Sequence, residues 1–87
     1  MSDSLEERLQ NQADELGDRG KKNYGPTADQ TTDNFQDDFH RIEQYEREGL
    51  LEIIGDPHRE STSGNRHVNM VMVRLTKEGA ENWRSKS

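Results

Sequence analysis

Apolar positions along the chain recur in groups whose spacing predicts the elements. In "LEERLQNQADEL", Leu5, Leu9, Ala13 and Leu16 fall on one helical face. Ser4 ahead of Glu7 has the spacing of a capping box, and Gly17 is a natural stop. The stripe is narrow, so this helix either docks on the rest of the domain or pairs with a second copy; docking is the preferred reading. Residues 17–30, "GDRGKKNYGPTADQ", are rich in glycine and poor in apolar side chains, which predicts a loop or flexible linker with Tyr24 as its large anchor. Within it, Thr27 and Gln30 repeat the capping spacing behind Pro26, and a short helical turn near residues 27–31 is expected.

Thr31 or Thr32 then caps a second helix in which Phe35, Phe39, Ile42 and Tyr45 or Glu46 alternate at four- and three-residue spacing. Gly49 followed by Leu50 has the form of a Schellman ending. Two strand-like runs come next, "LLEII" and "HVNMVMVRL", joined by the polar stretch "GDPHRESTSGNRH" of residues 55–67. A reversal near Ser63 and Gly64 sets Leu51 opposite Leu75 and Ile54 opposite Met72 or Val73. Val71, Val73 and Leu75 share one face of the second strand, and Val68, Met70 and Met72 the other. Pro57 cannot donate to a ladder, so residues 55–57 are expected at an edge or in a bulge. Thr76 caps a last short helix that folds Ala80 and Trp83 onto the hairpin base.

These elements add up to a small α+β domain with two main helices, a long β-hairpin and a short C-terminal helix. Residues 1–30 form the N-terminal helix and flexible linker, and residues 31–87 the core. The chain has 87 residues, of which 26% are hydrophobic and 34% charged, so the core is small. There is no cysteine to build a disulfide framework or a thiolate metal site. No apolar run approaches the ~20 residues of a membrane span, and the N-terminus lacks the pattern of a signal peptide, which makes a cytoplasmic protein the default expectation. The net charge of −6 argues against indiscriminate binding to nucleic acid or anionic membranes. Only residues 56–87 reverse the balance, with Arg59, Arg66, Arg74, Lys77, Arg84 and Lys86 against Asp56, Glu60, Glu78 and Glu81.

A helix ending in "REGLLEII", a polar basic tip, a second strand and then "RLTKEGAENW" resemble the C-terminal half of a winged-helix DNA-binding domain, over roughly residues 31–84. The resemblance implies that the second helix is the recognition helix and the hairpin the wing. It also implies a further helix ahead of the recognition helix, which only the turn near residues 27–31 is placed to supply.

The candidate contacts follow. At the hairpin tip, Arg59, Arg66, His58 and His67 suit phosphates or a minor groove, unless they are a solvated tip whose charge prevents edge pairing. On the second helix, Arg41, Gln44 and Arg47, with Asn34, Gln36 and His40 beside them, include base-reading groups. Against them stand Asp37, Asp38, Glu43, Glu46 and Glu48, which oppose a major groove and equally suit an ordinary solvated face. His58 and His67 facing each other near Glu60 would make a weak metal site at best, and no metal or other cofactor is expected. No nucleophile, phosphate loop or buried carboxylate pair is evident, so a non-enzyme is expected. The reading is a DNA-binding or transcription-regulating protein, as a homodimer. The alternative is a protein-binding module, an accessory or inhibitor, that presents its acidic helix to a basic partner surface. Met70 and Met72, with Val68, form a further candidate partner surface.

Overall fold

A computed structural model of the chain describes residues 4–28, 30–62 and 65–84, with the side chains of residues 60–62, 65 and 66 outside the description. The described residues form helix α1 (Leu5–Leu16), strand β1 (Lys21–Tyr24), helix α2 (Thr32–Arg47), strands β2 (Leu51–Thr62) and β3 (Asn65–Leu75), and helix α3 (Lys77–Trp83). Each helix begins on a hydroxyl that accepts a backbone N–H three residues on: Ser4 from Glu7 at 3.2 Å, Thr31 from Asn34 at 3.1 Å, and Thr76 from Gly79 at 3.1 Å. Helix α2 stops at Gly49 with φ of 80°. The Leu50 N–H bonds to the Tyr45 carbonyl at 3.0 Å and the Gly49 N–H to that of Glu46 at 3.1 Å, the bond pair of a Schellman ending.

The strands form one antiparallel sheet in the order β1-β3-β2. Leu51 lies opposite Leu75 and Ile54 opposite Met72, in the register expected from the reversal, and the pairing shifts between Ile54 and Arg59 around the predicted bulge. Residues 63 and 64, where the reversal was placed, lie outside the described residues. The irregularity has a consequence that simple alternation misses. Val68 was expected beside Met70 and Met72, yet it is buried with Val71 and Val73 while the two methionines stay exposed.

Strand β1 corrects the expectation of a loop or linker over residues 17–30. With one apolar side chain in "KKNY" it carries no alternating signature. Its conformation comes from pairing with β3, from Lys21 opposite Arg74 to Tyr24 opposite Val71, and from the complete burial of Tyr24. The predicted turn is present only as a bond from the Gln30 N–H to the Thr27 carbonyl, with the Gln30 side chain returning to the Thr27 N–H. No second helix precedes α2 among the described residues.

Helix α1 docks on the domain instead of exposing its stripe. Leu5, Leu9 and Ala13 are buried in one core with Phe35, Phe39, Ile42, Leu51, Val73 and Leu75, while Leu16 remains on the surface. Burying each of the large side chains stabilises the fold by about 1.5–3 kcal/mol. Gln12 is buried on the same face. Its amide donates to the Val73 carbonyl at 2.9 Å, and its Oε1 accepts from the Tyr24 hydroxyl at 2.6 Å. Arg8 lies over the Tyr24 ring at 4.8 Å and donates to the Gly25 carbonyl at 3.0 Å. Burial pushes the Tyr24 phenol well above the ordinary tyrosine range, an effect the Arg8 charge partly offsets.

At the opposite end, α3 closes the hairpin base. Ala80 and Trp83 are buried, and Tyr45 meets Trp83 edge-on at 5.0 Å. Gly79 lets α3 approach the turn after α2: a Cβ on it would stand 1.6 Å from the Leu50 carbonyl oxygen. The helices thus line one face of the sheet, and the face bearing Met70, Met72, Glu52 and Arg74 is left open.

Candidate nucleic-acid interface

Beyond the bulge the hairpin pairs Arg59 with Val68, Glu60 with His67, Ser61 with Arg66 and Thr62 with Asn65. At the rise of a β-strand, this distal ladder extends roughly 10 Å past the last core residue, Val68. Arg59 and His58 are exposed. Opposite residues share a face, so Arg59 takes the side of Val68, which is the side of α2, and His58 takes that of Met70 on the open face. Arg66 is placed by its backbone pairing alone, and its side chain lies outside the description.

Two contacts hold this ladder to the start of α2. The Gln36 side-chain amide donates to the Val68 carbonyl at 2.8 Å, and its oxygen accepts from the Val68 N–H at 3.1 Å. It stands where a further strand residue would pair, beyond the point at which β1 ends. His67 Nε2 lies 3.2 Å from an Asp33 carboxylate oxygen, an ion pair when the imidazole is protonated and otherwise a hydrogen bond. Gln36 is thereby committed to the fold and is not available to read a base.

The expected helix contacts divide. Arg41 forms an ion pair with Glu6 of α1, whose carboxylate also lies 3.5 Å from the Tyr45 hydroxyl, so it links two helices. Gln44 and Arg47 are exposed near the C-terminal end of α2. His40 is exposed beside Glu43 at 3.4 Å. From Gln36 to Arg47 the helix rises about 16 Å. Arg59 on the distal hairpin and Arg47 on the helix are therefore separated, with the exposed Asp33 and Asp37 on the part of α2 nearest the hairpin. Asp38 accepts from the Gln30 side chain at 2.8 Å and braces the loop before α2. Of the expected set, the fold leaves Arg59, Gln44, Arg47 and His58 turned to solvent and engages Arg41 and His67 with acids.

The register also separates the two histidines considered for a metal. His67 lies opposite Glu60 and His58 opposite Met70, so the imidazoles do not face each other. Among the described residues no group of three or more His, Cys, Asp or Glu side chains is arranged to hold a metal ion. No helix among them is long and apolar enough to cross a membrane.

Sequence reasoning missed Gln36 as the side chain that ties the distal hairpin to α2 and Gln12 as a core residue. Both glutamines stand at helical spacing from apolar partners, Gln36 three residues before Phe39 and Gln12 three residues after Leu9, which is the signal available for them. Set against known proteins, the chain matches no family model, no curated protein and no solved structure.

Proposed function

We propose that this chain is a small, non-enzymatic DNA-binding protein of winged-helix type, which touches the duplex with the distal hairpin and the outer face of α2. The observation that carries the reading is the hairpin itself. Its arms continue past the core with Arg59 exposed on the side of α2, where one duplex would meet both elements. The topology supports it: the sheet order β1-β3-β2, and a helix passing through a tight glycine turn directly into the hairpin. With no helix between β1 and α2 among the described residues, and with Asp33 and Asp37 on its exposed face, α2 lies along phosphates and is not driven into the major groove. Binding is then weak and falls as salt rises. Its salt slope is shallow, because only a few phosphates are neutralised.

An amide chemical-shift titration of the labelled chain with a mixed-sequence duplex, at low and moderate salt, tests the reading. Salt-sensitive shifts at residues 58, 59, 44 and 47 support it. An unperturbed spectrum at low salt rejects it.

A second reading rests on the same acids. Arg41 and His67 are both engaged by carboxylates, and exposed Asp33 and Asp37 flank the wing. This suits a basic protein partner. Reversing Asp37→Lys would then abolish partner binding, whereas in the DNA reading it strengthens duplex binding.

A further inference from the structure

Among the described residues, helices cover one face of the sheet only. On the open face the strand register sets Lys21, Arg74 and Glu52 in one row across β1, β3 and β2, with Asn23, Met72 and Ile54 in the next row toward the tip and Met70 and His58 beyond it. Met70 is 46% exposed and Met72 36%, which is unusual for large apolar side chains in the middle strand of a sheet. The row of charges is ordered: Lys21 stands on one flank, Glu52 on the other, and Arg74 between them donates to Glu52 at 2.6 Å.

We infer that two copies of the chain meet on this face, sheet against sheet, about a two-fold axis running along β3. Such an axis exchanges the flanks, so that β1 of each copy lies over β2 of the other. Met70 and Met72 then meet their own counterparts, and Lys21 of each copy faces Glu52 of the partner subunit, twice by symmetry. An axis across the strands would instead lay Arg74 over Met70 of the partner subunit. In the first arrangement Arg74 also meets its own counterpart, each held by Glu52 of its own chain, and Asn23 of each copy lies over Ile54 of the partner subunit. The attraction across the seam therefore comes from the two Lys21–Glu52 pairs and the methionines.

Packed sheets stand about 10 Å apart, a gap that Lys and Glu side chains can span from both sides. Methionine fits such a seam because its unbranched chain adapts to its neighbour. The arrangement also leaves the helical layers, which carry most of the acids of a chain with net charge −6, on the outside of the pair. The patch measures roughly 10 Å by 14 Å between backbone centres, below the size of permanent interfaces, so association is concentration-dependent. This pairing stands apart from any contact with DNA.

Sedimentation equilibrium of the full chain without nucleic acid, from about 10 μM to about 1 mM, tests it in the range open to small interfaces. The chain is expected to pass from monomer to dimer. Met72→Glu raises the dissociation constant more than tenfold, and Lys21→Glu raises it about tenfold by setting like charges opposite each other at two symmetric positions. Adding Glu52→Lys to Lys21→Glu restores association. The exchange rebuilds both cross-pairs with reversed polarity and still leaves Arg74 between one acid and one base. Circular dichroism of each variant establishes that these exposed substitutions leave the fold intact. A chain that stays monomeric, a dimer indifferent to Met72→Glu, or a double variant no tighter than Lys21→Glu alone overturns the inference.

Discussion

The hairpin has two halves that the same ladder serves differently. Below the bulge, Leu51, Val73 and Leu75 are buried between helices, and every strand residue that faces inward meets the core. Above it, beyond the buried Val68, the strands carry polar residues, and Gln36 and the His67–Asp33 contact tie them to the rest of the molecule. One half is held by area removed from water and the other by a few directional contacts. A substitution in the first should therefore act on stability, and a substitution in the second on local order and on binding.

The base of the hairpin can be broken at a single hydrogen atom. Gly79 sits inside α3, where alanine ordinarily stabilises a helix by about 1 kcal/mol. Here the added methyl would overlap the Leu50 carbonyl oxygen, whose other contact is the Thr76 N–H at 3.1 Å. Gly79→Ala is expected to destabilise the chain by about 3 kcal/mol or more, because α3 and the turn after α2 must separate. Urea denaturation decides the sign. A more stable variant would show that helix propensity outweighs the close approach.

The next largest effect lies in the network under β1. Tyr24→Phe leaves Gln12 Oε1 buried without its donor, at a cost of about 1–3 kcal/mol near neutral pH. The pH dependence has a definite sign. The unfolded phenol ionises near 10.0, while burial raises its value in the folded chain. Above that pH the unfolded chain loses a proton that the folded chain keeps. The stability linked to Tyr24 is thus complete below about pH 10 and declines by about 1.4 kcal/mol per pH unit above it. Denaturation midpoints of the wild type and Tyr24→Phe should converge as the pH rises from 9 to 11.

These two sites also separate what the sequence makes legible from what it hides. The helix starts at Ser4, Thr31 and Thr76, the Gly49 ending, the pairing of Leu51 with Leu75 and the bulge are all local matters. Each depends on a residue type at a fixed offset, and each is readable in the chain. Strand β1 is not. Four residues with one aromatic have no period, and their conformation is imposed by an edge of β3 that lies about 50 residues away. The inward turn of Val68 was hidden for a related reason, since strict alternation assumes a ladder without irregularity. In the candidate interface, the exposed Arg59 and Arg47 were legible as charges. That Arg41 bonds Glu6 depends on which helices meet, and that Gln36 ties the distal hairpin depends on which strand α2 meets.

Gln36 lies at the boundary of the two halves and sharpens the contrast between them. Gln36→Ala removes both bonds to the Val68 backbone and is expected to lower global stability by about 1 kcal/mol. Its larger signature is local. Amide exchange at Val68 should accelerate about tenfold, while exchange at Val73, held by β1 and β2 together, follows only the global change. Equal acceleration at both positions would mean that the hairpin opens as one unit and that the division into halves is wrong.

The smallest effect on the fold belongs to Arg59, and it is the most informative about function. The side chain is exposed and stands opposite Val68, and it forms no ion pair within 4.0 Å among the described residues. Arg59→Ala should therefore change stability by less than about 0.5 kcal/mol. If the wing grips phosphate, the same change weakens duplex binding equally for all sequences and lowers the slope of log affinity against log salt by about one, the signature of one released counterion. Fluorescence anisotropy over a range of salt concentrations measures both quantities. An unchanged slope would move the contact away from the wing to Arg47 and the C-terminal end of α2, and would leave the distal ladder as a solvated tip.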